Sequence, residues 1–264
     1  MSEIIRMENV VKVYEGGRRA INGVSLRICK GERALITGAP GSGKTTLMRL
    51  IAGMDRPSDG EIHVLGQAVH EMDADTAADF RNRHMGLLGR FPAFMDRLTV
   101  LENVMMPLTL RGVPAAQRGK TAREQLKTLG LLYAGHARPQ QLTVLEAKLA
   151  SIARALIAQP EILLLDDMTA GLSGNDTDQI TDTLRVLFQN REYTIIEFTG
   201  SAGGIIDADK TVILDRGNRR RKWDEKTVRS TCAYAGADLA CSGIRCNRNE
   251  QRTDDADYNA RCDG

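Results

Sequence analysis

Apolar and polar residues alternate through Ile4–Val13, and again through Val24-Ser25-Leu26-Arg27-Ile28. That two-residue period predicts strands with one buried face, with Gly16-Gly17 marking a turn between them. Ala34-Leu35-Ile36-Thr37 is a short apolar run that predicts a strand, and a glycine-rich loop follows it. A helix is expected over Thr45–Ala52, stopped by Gly53 and Pro57. Glu61–Leu65 predicts another strand, and residues 71–83 a polar helix. From Thr99 to Ala158 the pattern is mainly helical, broken at Gly112-Val113-Pro114 and at Arg138-Pro139. Ile162-Leu163-Leu164-Leu165 has no polar face and reads as a strand buried on both sides. A helix over 175–190 and strands over Tyr193–Phe198 and Thr211–Leu214 complete the series. Strands alternating with helices predict an α/β domain with a mostly parallel sheet. The antiparallel-type strands stand before it, and the 99–158 helical stretch reads as an insertion.

The pattern changes after Arg216. Arg216, Arg219, Arg220, Arg221 and Lys222 form a basic cluster, which reads as a solvated surface or as a patch for anionic lipid. Residues 223–264 are poor in large aliphatics and are expected to be a tail without a core. Residues 1–222 are therefore the expected domain, with a helical subdomain at about 91–158. Cys29 stands alone early in the chain; Cys232, Cys241, Cys246 and Cys262 crowd the tail. Only Cys241-x4-Cys246 is closely spaced, so the paired knuckles of zinc sites are absent; reduced thiols are expected, with a zinc site or disulfides as the alternatives. Over all 264 residues, 42% hydrophobic and 27% charged content excludes a disordered or collagen-like chain. Lys+Arg of 36 against Asp+Glu of 34 gives +2, which supplies no argument for nucleic acid. No apolar run approaches the roughly 20 residues of a membrane span, and Met1–Arg6 has no signal-peptide character. A cytoplasmic location is expected, with any membrane role exercised through a partner.

The candidate chemistry begins in the glycine-rich loop. Gly38-Ala39-Pro40-Gly41-Ser42-Gly43-Lys44-Thr45 fits G-x-x-x-x-G-K-[ST] between a predicted strand and a predicted helix, with Thr46 next in line. Glycines let backbone N–H groups turn toward phosphate oxygens, and the helix adds its positive end. Lys44 is expected to reach the β- and γ-phosphates and Thr45 to ligate Mg²⁺. Asp166, at the end of the buried apolar strand, is a candidate for holding the same Mg²⁺.

These residues resemble the ATP-binding cassette (ABC) family, the nucleotide-binding subunits of ABC transporters, over roughly residues 3–222. Tyr14 stands where that family has an aromatic that stacks on adenine. Leu98–Leu108 looks like the helical entry of the lipoprotein-releasing and macrolide-export subgroup, and Ile152-Ala153-Arg154-Ala155-Leu156 is similar to the helix after the family signature. The resemblance implies a P-loop NTPase (RecA-like) fold with an N-terminal antiparallel β subdomain and an inserted helical subdomain. It further implies ATP and Mg as ligands, a second ATP-binding subunit, homo- or heterodimeric, a membrane permease as partner, and a place on the cytoplasmic face of the membrane.

Several positions depart from the family pattern. Its signature, Leu-Ser-Gly-Gly-Gln-like, corresponds to Leu142-Thr143-Val144-Leu145-Glu146. Branched side chains at Val144 and Leu145 should block the backbone approach that glycines allow. The family's catalytic Glu is Asp167, one methylene shorter, and Met168 replaces the Pro after it. Arg90 aligns with the Gln that touches Mg²⁺ and water, Ser173 with an Asp, and Gly200 with the switch His. Arg90 reads either as a solvent-facing residue or as a bidentate ligand of the γ-phosphate. Nucleotide-gripping residues thus survive while water-activating ones are altered. The leading expectation is a transporter subunit that binds Mg·ATP and hydrolyses it weakly. A non-hydrolysing, ATP-gated scaffold is the alternative, and a soluble P-loop phosphotransferase ranks last.

Overall fold

The computed structural model describes residues 2–189, 193–200 and 204–219. Expectations for residues 223–264, and for Arg220, Arg221 and Lys222 of the basic cluster, lie outside the described residues. Along the chain run β1 (Glu3–Val13), β2 (Arg19–Cys29), β3 (Arg33–Thr37), α1 (Lys44–Ile51), β4 (Asp59–Val64), β5 (Gln67–Ala68), α2 (Ala74–His84), β6 (Met85–Leu88), α3 (Val100–Leu110), α4 (Ala115–Thr128), α5 (Val144–Leu156), β7 (Ile162–Asp166), α6 (Gly174–Gln189), β8 (Thr194–Thr199), β9 (Lys210–Asp215) and β10 (Asn218–Arg219). The first sheet has the order β2-β1-β4-β5 and the second β10-β9-β3-β8-β7-β6. All pairings of the first are antiparallel. In the second, β9, β3, β8, β7 and β6 run parallel and only β10 is antiparallel. The expected mostly parallel sheet with an antiparallel N-terminal sheet is therefore present. Because the five strands run the same way, the C-terminal ends of β3, β6, β7 and β8 lie along one edge, where open α/β sheets hold ligands.

The apolar run Ile162–Leu165 shows why no polar face was possible in β7. Ile162 and Leu164 face a core shared with Ile36, Leu47, Leu50 and Phe198. Leu163 and Leu165 face the opposite core, built with Leu149, Ile152, Ala153 and Leu156 of α5. Each buried aliphatic of this size stabilises the fold by roughly 1.5–3 kcal/mol, so both faces of the strand had to be apolar. The first core also takes the inner face of the antiparallel sheet, through Ile5, Met7, Ile21, Leu26 and Ile62. Helices α3, α4 and α5 pack into the second through Val104, Ala122, Leu126 and Ala150.

Two capping boxes fix where the inserted helices start. Thr99 accepts the Glu102 N–H into α3, and Thr143 accepts the Glu146 N–H into α5; each glutamate reaches back to the N-cap backbone. Arg111, just past α3, donates to the carbonyls of Ala158, Asn82 and Arg83, which ties the end of α3 to the last turn of α2 and to the segment after α5.

Three sequence expectations needed correction. Strand β6 was absent from the sequence reading, because four residues with a glycine at Gly86 carry too little periodicity. Helix α1 begins at Lys44, one residue early, with Gly43 as its N-cap. Cys29 is 4% exposed and disulfide-bonded, so the expectation of reduced thiols is not met there; side chains brought together by a fold, and not cysteine count, decide such pairing. The other cysteines lie outside the described residues.

Candidate functional site

A cleft of about 470 Å³ opens at the C-terminal edge of the parallel sheet. Its floor is the loop between β3 and α1, contributing Pro40, Gly41, Gly43, Lys44, Thr45 and Thr46. Asp166 and Asp167 enter from the end of β7, Gly200 from the end of β8, and Arg90 from the segment after β6. Arg18, Arg19 and Ala20 close the remaining side. Sequence reasoning missed these last three, since two arginines beside a glycine turn look like an ordinary exposed loop.

The loop is shaped by close backbone approach. A Cβ at Gly43 would stand 2.4 Å from the Ala20 carbonyl oxygen and 2.8 Å from Ile21 Cδ1, and Gly43 has φ of 102°. At Gly38 a Cβ would stand 2.3 Å from the Leu214 carbonyl oxygen and 2.7 Å from Ser42 Oγ. Gly43→Ala is therefore expected to destabilise the protein by about 1–3 kcal/mol, read as a drop in thermal midpoint. Gly89→Ala is the control: its methyl meets only Phe91 O, at 3.5 Å.

Lys44 folds back over this loop. Its Nζ donates to Gly38 O at 2.6 Å, to Ala39 O at 3.0 Å and to Ser42 Oγ at 3.4 Å. Burial lowers its pKa, opposed by the charges of Asp166 and Asp167. Ser42 is buried beneath it.

Thr45 Oγ1 donates to Asp166 Oδ2 at 3.3 Å. Burial raises the Asp166 pKa; the Thr45 hydrogen bond opposes it, the neighbouring Asp167 charge adds to it, and Lys44 and Arg90 pull it back. A hydroxyl and a crowded carboxylate are hard oxygen donors, and a divalent cation would relieve the repulsion between the two aspartates. The donor set thus fits Mg²⁺, and the cationic loop beside it fits a polyphosphate.

Asp167 adopts φ of 49°, a left-handed conformation that Asp tolerates better than most residues. Its N–H donates to Phe198 O at 2.8 Å, which fastens it to β8. Arg90 Nε lies 3.6 Å from Asp167 Oδ2, with the two side chains 60% and 31% exposed. A pair this open contributes about 0–1 kcal/mol. It is weak as a staple and easily exchanged. Lys148 approaches from below. It is 0% exposed, and its Nζ donates to Arg90 O at 2.5 Å. Burial lowers the Lys148 pKa; Asp167 opposes this, Arg90 reinforces it and Asp166 opposes it. The sequence signal for Lys148 was available and overlooked: a lysine amid the apolar positions of a core helix.

Other candidate residues lie elsewhere. Tyr14 is not among the cleft-lining residues. Its hydroxyl donates to Asp55 Oδ2 at 3.0 Å and stands 3.4 Å from Thr46 Oγ1. Lys12 Nζ and Arg18 Cζ lie 5.1 Å and 5.7 Å from its ring centroid. Thr143, Val144 and Leu145 start α5 away from the cleft, with Val144 exposed. The Glu146 carboxylate accepts the Thr143 N–H at 2.7 Å and the Tyr133 hydroxyl, so the Thr143 and Glu146 N–H groups at this helix start are capped by the chain's own side chains. Ser173 Oγ accepts the Asp176 N–H at 3.3 Å and caps α6. Met168 is buried in the second core.

Comparisons with known proteins agree with this geometry. A match to the family described as ABC transporter covers residues 21–170. The lipoprotein-releasing system ATP-binding protein LolD of Chromohalobacter salexigens is 33% identical over 217 residues, which span 81% of this chain and 92% of the relative. LolD of Psychrobacter arcticus is 31% identical over 222 residues, spanning 83% and 98%. Among solved structures, a dimeric post-hydrolysis state of the ATP-binding cassette MJ0796 bound to ADP and Pi aligns with a TM-score of 0.76 at 28% identity, covering 83% of this chain and 97% of that one. Extended sequence identity, the family match and a shared fold lead to one conclusion: the chain belongs to the ABC transporter family, as an ATP-binding subunit.

Proposed function

We propose that the chain binds Mg·ATP under a membrane permease and hydrolyses it slowly or not at all. Lys44 and the Gly38–Gly43 loop would grip the phosphates, with Thr46 beside them, while Thr45 and Asp166 would hold Mg²⁺. The metal would supply charge neutralisation between phosphate oxygens. Tyr14 would meet adenine only by turning its ring away from Lys12 and Arg18. The observation that carries weak hydrolysis is what the cleft offers to water: Asp167, one methylene shorter than the family's Glu, with Gly200 beside it. The carboxylate is set back by that methylene, and Gly200 offers no ionisable group to assist it. A displacement of about 1 Å in such a group costs on the order of 100-fold in rate. Val144 and Leu145 bear on the second half of the problem. In a head-to-tail dimer of the kind the family resemblance implies, they would face the partner's nucleotide with branched side chains where glycines allow close approach.

We infer a place in a membrane assembly, on the cytoplasmic face, from the relatives, which are named for a lipoprotein-releasing system. Among the described residues no helix is long and apolar enough to cross a membrane. The test is isolation from the source cells with a tag on this chain. Recovery with an integral membrane protein in detergent is expected. Recovery in the soluble fraction with no membrane partner contradicts the permease reading. It favours the scaffold alternative, to which the self-capped start of α5 lends its own support.

A further inference from the structure

Lys148 has no part in the proposed grip on Mg·ATP, yet it is a wholly buried cation beside the cleft. It sits one turn into α5, whose first turn carries Thr143, Val144 and Leu145. Its stem belongs to the helix, and its ammonium ends on the carbonyl of Arg90, a residue 58 positions earlier. Arg90 lies two residues past the end of β6, in a segment without regular secondary structure. Its guanidinium extends to Asp167, and both side chains line the cleft into which a terminal phosphate would project. A backbone point held by a part-buried charge-assisted hydrogen bond thus carries a side chain that is largely exposed and loosely paired.

We propose that Lys148 is a positioning residue that pins the Arg90 backbone, so that the Arg90 guanidinium exchanges Asp167 for the terminal phosphate of a bound nucleoside triphosphate. This inference rests on the nucleotide-binding reading and extends it to discrimination between triphosphate and diphosphate. With the diphosphate, Arg90 keeps its carboxylate partner. With the triphosphate, a planar guanidinium meets phosphate oxygens in a two-point contact that an aspartate at 3.6 Å does not offer. The direction is set by charge: a terminal phosphate carries more negative charge than the carboxylate, and Lys44 in the floor of the same cleft draws it in. The exchange needs Arg90 in a fixed place, because a mobile backbone would spread the guanidinium over many positions and weaken the contact. No bond is made or broken; one ion pair replaces another.

The test is equilibrium binding of ATP and of ADP, each with Mg²⁺, to the full chain and to Arg90→Gln, Lys148→Met and the double variant. Thermal unfolding of every protein is followed in parallel. The wild type is expected to prefer ATP. Arg90→Gln and Lys148→Met should each reduce that preference about tenfold, as loss of a charge-assisted contact does, with ADP affinity nearly unchanged. The double variant should be no worse than Arg90→Gln alone, because both act on one contact. Lys148→Met should fold, since removing a buried charge into an apolar surround is commonly tolerated; Lys148→Gln, which shortens the donor, should show the same sign and serves if it does not. Equal weakening of ATP and ADP in the lysine variants marks a merely structural role and overturns the proposal. An unchanged ATP preference in Arg90→Gln overturns it as well. A wild type that binds neither nucleotide overturns the nucleotide-binding reading itself, which is a different result from binding both without preference.

Discussion

Lys44→Ala should lower the affinity for Mg·ATP by about 100-fold or more. Hydrogen bonds from charged groups contribute roughly 1.5–3 kcal/mol each, and two to the phosphates amount to at least two decades. The lysine also holds the loop itself, through the Gly38 and Ala39 carbonyls. Its loss would leave those two carbonyls without this donor. The loss should be selective. The helix α1 core of Leu47, Leu50 and Ile51 is untouched by the substitution, so the thermal midpoint without nucleotide should stay close to that of the wild type. Calorimetric titration with Mg·ATP reads the affinity, and a nucleotide-induced rise in thermal midpoint should disappear in the variant. Wild-type affinity in Lys44→Ala would place nucleotide recognition elsewhere in the molecule.

The second large effect is a gain. Restoring the altered positions together, as Arg90→Gln, Asp167→Glu, Gly200→His, Val144→Gly and Leu145→Gly, should raise ATP turnover by about 100-fold or more. Asp167→Glu alone should achieve far less, because Gly200 beside it and the Val144-Leu145 helix start remain altered. The two glycines should cost about 1 kcal/mol each in helix stability, as Val144 and Leu145 are the first residues of α5. Phosphate release per subunit, compared at saturating Mg·ATP for the wild type, Asp167→Glu and the five-fold variant, checks the order. Equal rates in all three, with binding intact, contradict the assignment of these positions.

What the sequence revealed and what it hid follow from how each feature is encoded. The phosphate-type loop was legible because its function demands backbone shape. Glycine is needed where a methyl would strike the Ala20 carbonyl at 2.4 Å, and that demand leaves a fixed spacing in the chain. Strand β7 was legible because burial on two faces removes every polar residue from Ile162–Leu165. Strand β6 was not: at Gly86 an added Cβ would meet Leu163 Cδ2 at 2.5 Å, so packing forced a glycine into a strand and erased the β signal. The position of Asp167 against Arg90 joins residues 77 apart, and Lys148 reaches the same point from a third segment. Such three-way meetings are set by tertiary packing alone. The placement of Tyr14 shows the same limit from the other side. Its rank in the chain suggested a stacking surface, while Asp55 and the neighbouring cations Lys12 and Arg18 determine where the ring stands.

The central claim is that the chain holds Mg·ATP and leaves it largely intact. Phosphate release from Mg·ATP by the purified chain, with Lys44→Ala as the blank and nucleotide binding measured on the same preparation, tests it most directly. The account predicts saturable, Lys44-dependent binding with release little above the blank. Rapid release that vanishes in Lys44→Ala would mean that Asp167 activates water despite its shorter side chain and the absence of an ionisable group at Gly200, and would contradict the account.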